Sequence, residues 1–235
     1  MSVVYSIMPE NSCIIYTSIF FSNPGQMKLE FEKSGDNFKG HYEIRYDLFN
    51  DRGLENLEDL LMYLNSHKVD YIFTFRSADK NEIEKVYGTA LKFSPPVIDI
   101  DIKSFIFNRN IFNNSKLMIS FHGDNNDDVP ALLKDMSEFN PDIYKIALAY
   151  TDIEKFLKDL NYLYTYRKKN GIKLAYIPMG SENSFLRVVS AYLVSDYSYA
   201  SYTQPTAPGQ ISKEQFQAVL EMFRPDTPVL VYRNY

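Results

Sequence analysis

The strongest constraint on this chain is an alternation. Short runs rich in β-branched and aromatic residues lie at 13–18, 42–48, 71–76, 97–102, 117–122, 143–148, 174–179 and 198–202. Longer stretches with apolar residues at helical spacing separate them, at 54–66, 80–93, 102–113, 127–139, 151–170, 184–194 and 212–223. Strands joined by crossover helices pair in parallel. Roughly eight such units fit an α/β fold closed into a (β/α)8 TIM barrel better than an open sheet. The fifth of these helices carries its own punctuation: Asn170-Gly171 is a stop signal, and Thr151 with Glu154 reads as a capping box. The first βα unit is the least defined, because residues 23–40 are rich in Gly, Asn and Lys. No linker or compositional break divides the 235 residues, so a single domain over 1–235 is expected, with 225–235, which holds Pro225 and Pro228, as an extended arm.

Parity along the strands says more. Successive side chains of a strand point to opposite faces. In 42–48, Ile44, Tyr46 and Leu48 share one face and Glu43, Arg45 and Asp47 the other. In 71–76, Tyr71, Phe73 and Phe75 oppose Thr74 and Arg76; in 97–102, Ile98, Ile100 and Ile102 oppose Asp99 and Asp101. In 117–122, Leu117, Ile119 and Phe121 oppose Ser120 and His122, and in 143–148, Tyr144, Ile146 and Leu148 oppose Lys145 and the small Ala147. The parity that packs on helices must be apolar, so the charged parity points into the barrel. Unpaired charges there would cost several kcal/mol each. They must balance one another or line a wet cavity at the C-terminal ends of the strands, where barrel enzymes carry their sites. Arg45, Arg76 and Lys145 set against Glu43, Asp47, Asp99 and Asp101 come close to balance.

Residue by residue, the weight differs. An inward Asp in a barrel is as often half of a structural ion pair, and that reading stays open for Asp47, Asp99 and Asp101. His41 and His67 sit at element edges and read as solvated, whereas His122 ends a strand on the inward face. Lys145, between Ile143 and Ala147, is a poor core residue without a reason. An amine withdrawn from water among cationic neighbours is nucleophilic toward carbonyls, so Schiff-base chemistry is the natural expectation.

Composition narrows the partners. The net charge of −5, with 45% hydrophobic and 23% charged residues, suits a soluble globular enzyme and gives no basic patch for nucleic acid or an anionic membrane. The single cysteine, Cys13, has no intrachain partner, and no Cys/His cluster has metal-ligand spacing. Residues 1–9 lack a basic segment followed by a long apolar one, and no apolar run is long enough to span a bilayer, so a cytoplasmic location is expected.

In order along the chain, Glu43-Ile-Arg45-Tyr-Asp47, Phe73-Thr-Phe-Arg76-Ser77, Ile119-Ser-Phe-His122, Lys145-Ile-Ala147, Arg187 and Ala207-Pro-Gly-Gln210 resemble the type I 3-dehydroquinate dehydratases. The ordered set is the specific signal, and the resemblance is weak before Tyr42 and after Phe223. It implies dehydration of 3-dehydroquinate to 3-dehydroshikimate in the shikimate pathway, with Lys145 as the imine-forming lysine and His122 as the catalytic histidine. Glu43, Arg45 and Arg76 match substrate-contacting positions, Arg187 the arginine for the substrate carboxylate, and Thr206 and Gln210 the closing loop. Because Lys145 supplies the electron sink, neither a metal nor an organic cofactor is implied; the partner is the small-molecule substrate, and a homodimer is the family expectation.

This chain departs from the pattern at Pro178-Met179-Gly180-Ser181, at Thr206 in place of a frequent serine, and at Asp101, where many relatives carry Glu. The pattern does not single out the carboxylate that would orient His122; Asp79 and Glu82 are the candidates. From spacing alone, 206–210 reads equally as a lid and as a plain connector. Two other classes remain: another class I Schiff-base barrel such as an aldolase, which would share Lys145, and a non-catalytic binding relative, which would have lost Lys145 or His122.

Overall fold

The computed structural model describes residues 13–34, 40–202, 204–207 and 209–222. Along the chain run β1 (Ile14–Ile19), α1 (Pro24–Ser34), β2 (His41–Arg45), α2 (Leu54–Ser66), β3 (Asp70–Thr74), α3 (Lys80–Leu91), β4 (Val97–Asp101) and β5 (Lys116–Asp124). There follow α4 (Val129–Ser137), β6 (Ile143–Ala149), α5 (Ile153–Asn170), β7 (Lys173–Met179), α6 (Ser184–Leu193), β8 (Tyr197–Ser201) and α7 (Lys213–Met222). The strands pair in parallel in the order β7-β6-β5-β4-β3-β2-β1-β8, curled into a nearly closed (β/α)8 barrel.

Side chains finish the closure between β7 and β8. Asp196 donates its N–H to the Leu174 carbonyl (2.7 Å). Its carboxylate accepts the Leu174 N–H (3.0 Å), and Ser195 Oγ accepts the Tyr176 N–H (3.0 Å). Backbone groups that would be orphaned at two facing edges are thereby paired. Outside the barrel, the apolar parity of the strands packs under the helices: Ile44, Phe73, Ile98, Ile100, Ile119, Ile146 and Leu148 are buried against residues such as Leu60, Leu61, Ile83 and Leu133. Inside, Tyr16, Ile72, Val97, Met118, Ile143, Ala175 and Tyr199 form a separate apolar cluster.

Four expectations are corrected. The second strand does not reach Leu48: after Arg45 the chain makes a 3-10 turn, Tyr46–Leu48. Tyr46 drives that turn, with its ring buried against Phe49 and Phe73 and its hydroxyl donating to the Gly53 carbonyl (2.8 Å). Likewise β3 ends at Thr74, and Arg76 lies beyond the ladder. No α-helix forms over 102–113; short 3-10 turns, Ile102–Ser104 and Arg109–Phe112, stand there instead. Asp101 and Asn108 bond the backbone locally, the competition that disfavours helix, while Phe107 packs on Phe105 and on Phe112, two and five residues away, spacings that one helix face does not provide. Finally, α5 is capped by Asp152, which accepts the Glu154 N–H (2.8 Å), and not by Thr151, whose hydroxyl bonds Asn125. Its other end agrees with the sequence: Gly171 takes the left-handed conformation at φ 64°. The undefined first unit contains α1, and the extended arm at 225–235 lies outside the described residues.

Candidate active site

Register decides which inward side chains meet. Ser18 is paired with Glu43, Thr74 with Asp99, Asp101 with Ser120, and Ser120 with Lys145. Ser18, Glu43, Thr74, Asp99, Ser120 and Lys145, each from a different strand, therefore converge toward the C-terminal half of the barrel.

At the centre is Lys145. Its Nζ donates to Asp99 Oδ2 (2.8 Å) and Glu43 Oε1 (3.1 Å) and stands 4.0 Å from the centre of the Tyr199 ring face. Glu43 is further held by Ser18 Oγ on its other oxygen (2.6 Å) and by Thr74 Oγ1 (3.2 Å). Asp99 is the fully buried hub: Arg76 donates to its Oδ1 (2.8 Å) and to its carbonyl (3.0 Å), and also to Ser120 Oγ (2.8 Å). Burial alone would raise both carboxyls. For Glu43 the charges of Lys145 and Arg45 prevail, and for Asp99 those of Arg76 and Lys145, so both lie below the usual carboxylate range. These contacts revise one expectation. The immediate neighbours of Lys145 are carboxylates and a ring face, with the arginines one step further out.

Around this cluster opens a cavity of about 380 Å³ lined by Glu43, Arg45, Thr74, Arg76, Asp101, His122, Lys145, Thr206 and Ala207. His122 is partly exposed to it, and its Nδ1 lies 3.1 Å from Asp101 Oδ2. Neither candidate named from the sequence is the partner: Asp79 caps α3 through the Asn81 N–H, and Glu82 accepts from Ser77. Arg45 is clamped by both oxygens of Asp47 (3.0 and 2.6 Å), so Asp47 serves it as a local ion-pair partner.

The loop between β8 and α7 closes one side. Gln210 Oε1 accepts the N–H and hydroxyl of Thr206 (2.7 and 3.0 Å), and its Nε2 donates to Ser18 Oγ (3.1 Å), which in turn bonds Glu43. Gly209 has φ 75°, and a Cβ there would stand 2.1 Å from the Gly180 carbonyl oxygen, so only glycine lets the loop approach β7 this closely. Of the expected site residues, Gln210 and Arg187 do not line the cavity, and Arg187 is the more deeply buried. It sits in α6 with 1% exposure, burial bringing its guanidinium down to about 10 against the opposing influence of Glu43. Ser18 is the residue the sequence reading missed. Its inward parity is legible in Tyr16-Thr17-Ser18, but its pairing with Glu43 needs the register.

A model of the type I 3-dehydroquinase family matches residues 15–227. The 3-dehydroquinate dehydratase of Thermoplasma volcanium is 34% identical over 210 residues, 89% of each chain. That of Thermoplasma acidophilum is 32% identical over 197 residues, 84% of each. Among solved structures, the 3-dehydroquinate dehydratase of Geobacillus kaustophilus superposes with a TM-score of 0.78 at 18% identity, covering 94% of this chain and 99% of that one, a likeness of fold.

Proposed function

The chain belongs to the type I 3-dehydroquinase family, and on that premise we propose that its charged cavity removes water from 3-dehydroquinate, giving 3-dehydroshikimate, through a Schiff base on Lys145. The carrying observation is that Lys145 Nζ, buried among Glu43, Asp99 and Tyr199, borders the same cavity as His122.

The chemistry follows from that environment. Before attack the ammonium must release a proton, and the carboxylates of Glu43 and Asp99 are the acceptors in contact with it. The amine then adds to the substrate ketone and expels water, leaving a cationic imine. That cation stands where the ammonium stood, so the same carboxylates and ring face stabilise it. The imine acidifies the neighbouring C–H; His122 takes the proton, and the electron pair delocalises toward the imine nitrogen as an enamine. The enamine expels the tertiary hydroxyl beta to the original ketone, with the His122 imidazolium supplying the proton that makes it water. Hydrolysis of the conjugated imine then frees product and Lys145. Glu43, Arg45 and Arg76 bind ring hydroxyls, Arg187 is the bidentate partner for the carboxylate, and Thr206 and Gln210 close over the ring.

Borohydride added with substrate or product should inactivate the protein and leave a stable mass adduct on the peptide containing Lys145. An adduct on Lys173 or Lys92 would sink the assignment. His122→Ala should turn over about a hundredfold more slowly or worse and still be trapped with product, the range for lost acid–base catalysis. A class I aldolase shares the lysine but produces no enone, so growth of the enone absorbance separates the two readings.

No helix among the described residues is long and apolar enough to cross a membrane. A small-molecule substrate and a cytoplasmic setting go with this reaction. The homodimer implied by the resemblance is supported by exposed Ile153 and Leu157 on α5 and Phe185 on α6, and light scattering measures it.

A further inference from the structure

We propose that Asp101 is the positioning residue of His122, holding the ring with Nδ1 protonated so that Nε2 is the bare nitrogen that accepts the substrate proton. The inference rests on the reading of His122 as the proton-transfer group.

Asp101 ends β4 and is paired in register with Ser120 on β5, two residues before His122, so both side chains emerge on the inner face at the rim of the barrel. The two carboxylate oxygens are divided between two tasks. Oδ1 accepts the Lys103 N–H (3.0 Å) and caps the turn Ile102–Ser104, which anchors the group to its own backbone. Oδ2 is thereby aimed at His122 Nδ1, 3.1 Å away.

Burial would raise this carboxyl, but the bonds from His122 and the Lys103 N–H and the charge of Arg76 hold it below the usual range. It is therefore ionised at neutral pH, and an ionised carboxylate only accepts. Nδ1 must donate, and in the neutral ring the acceptor is then Nε2. When Nε2 takes the proton, the imidazolium already faces a carboxylate. The other charged groups around the cavity, Arg45, Arg76, Lys145 and Glu43, are committed to Asp47, Asp99 or one another and leave Nδ1 to Asp101.

The isosteric Asp101→Asn separates positioning from packing. Its amide oxygen can keep the cap on Lys103, which turns the amide NH2 toward Nδ1 and forces the proton onto Nε2. Heteronuclear NMR of the imidazole nitrogens, with the His122 signals assigned by their loss in His122→Gln, should show the change of tautomer. Turnover should fall about a hundredfold or more. KM and the melting temperature should stay near wild type, and borohydride should still trap product on Lys145. Asp101→Glu, which returns a carboxylate, should recover part of kcat while Asp101→Ala does not. If Asp101→Asn keeps kcat within a few-fold of wild type, or its His122 tautomer is unchanged, the proposal is overturned. His122→Gln is measured alongside. Normal turnover there would remove the parent reading and this one with it, whereas an inactive His122→Gln beside a normal Asp101→Asn would remove this one alone.

Discussion

Within the barrel, one pleat separates two chemistries. Stepping two residues along a strand leads from Tyr16 to Ser18, from Ile72 to Thr74, from Val97 to Asp99, from Met118 to Ser120 and from Ile143 to Lys145. The lower member of each pair belongs to an apolar plug, and the upper one to the polar cluster around Lys145. Tyr199 is the boundary, its ring face under Lys145 Nζ and its hydroxyl donating to Met118 Sδ (3.3 Å). Both halves have the same inward parity and are equally buried, so burial does not distinguish a site from a core. What distinguishes them is the constraint each must meet. The plug needs only volume and shape, whereas the upper half is stable only if every charge keeps a partner.

The sharpest way to break this contrast is to extend the plug upward by one pleat. Lys145→Met should abolish turnover and borohydride trapping. It should also cost about 3 kcal/mol or more of stability in urea, because Glu43 and Asp99 lose the cation they share. Adding Glu43→Gln should return part of that loss. Acid sharpens the same test. Both carboxyls are held below their ordinary values of 4.5 and 3.8, so the wild type is stabilised above that range and loses the contribution as pH falls through and below it. In Lys145→Met that decline should be shallower. A variant as stable as wild type, with the same acid slope, would mean that the upper half is not held by charge balance.

The complementary experiment damages the plug. Met118 is fully buried, and Met118→Ala should cost about 2–5 kcal/mol through the space it vacates. Because no charge is disturbed, the folded fraction should still be trapped on Lys145 at close to the wild-type rate. Loss of trapping without loss of stability would show that floor and site are one unit.

The contrast also marks what could be read from sequence. Parity gives the inward face of five strands: Glu43, Arg45, Asp99, Asp101, His122 and Lys145 do face the barrel interior, whereas Asp47 lies past the end of β2 and pairs with Arg45. Level along the barrel axis was not legible, because it depends on the stagger between strands; Ser18 became visible only once paired with Glu43. Asp101 is inward by parity, but its bond to His122 depends on the same stagger; Asp79 and Glu82, the candidates taken from the sequence, are both spent on local bonds. The helix expected at 102–113 failed for a different reason. Its apolar residues have helical spacing, but Asp101 and Asn108 capture backbone N–H groups and Phe107 packs on both Phe105 and Phe112.

The smallest effect is expected at the edge of the charged half, where the β8–α7 loop leans on it. Gln210 reaches the cluster through one bond to Ser18, and the loop approaches Gly180 only because position 209 has no Cβ. Gln210→Ala removes that bond without emptying any part of the plug. Its melting temperature should therefore match wild type, while KM rises several-fold and kcat falls modestly. Gly209→Ala should act alike from the other side: a Cβ 2.1 Å from the Gly180 oxygen cannot be accommodated, so the loop must stand off and carry Gln210 with it. Limited proteolysis across 204–211 gives an independent measure. Cleavage should slow when the borohydride adduct fills the cavity of the wild type, and slow less in either variant. If both variants keep the wild-type KM and the adduct leaves cleavage unchanged, the loop is a connector and the charged half ends at Ser18.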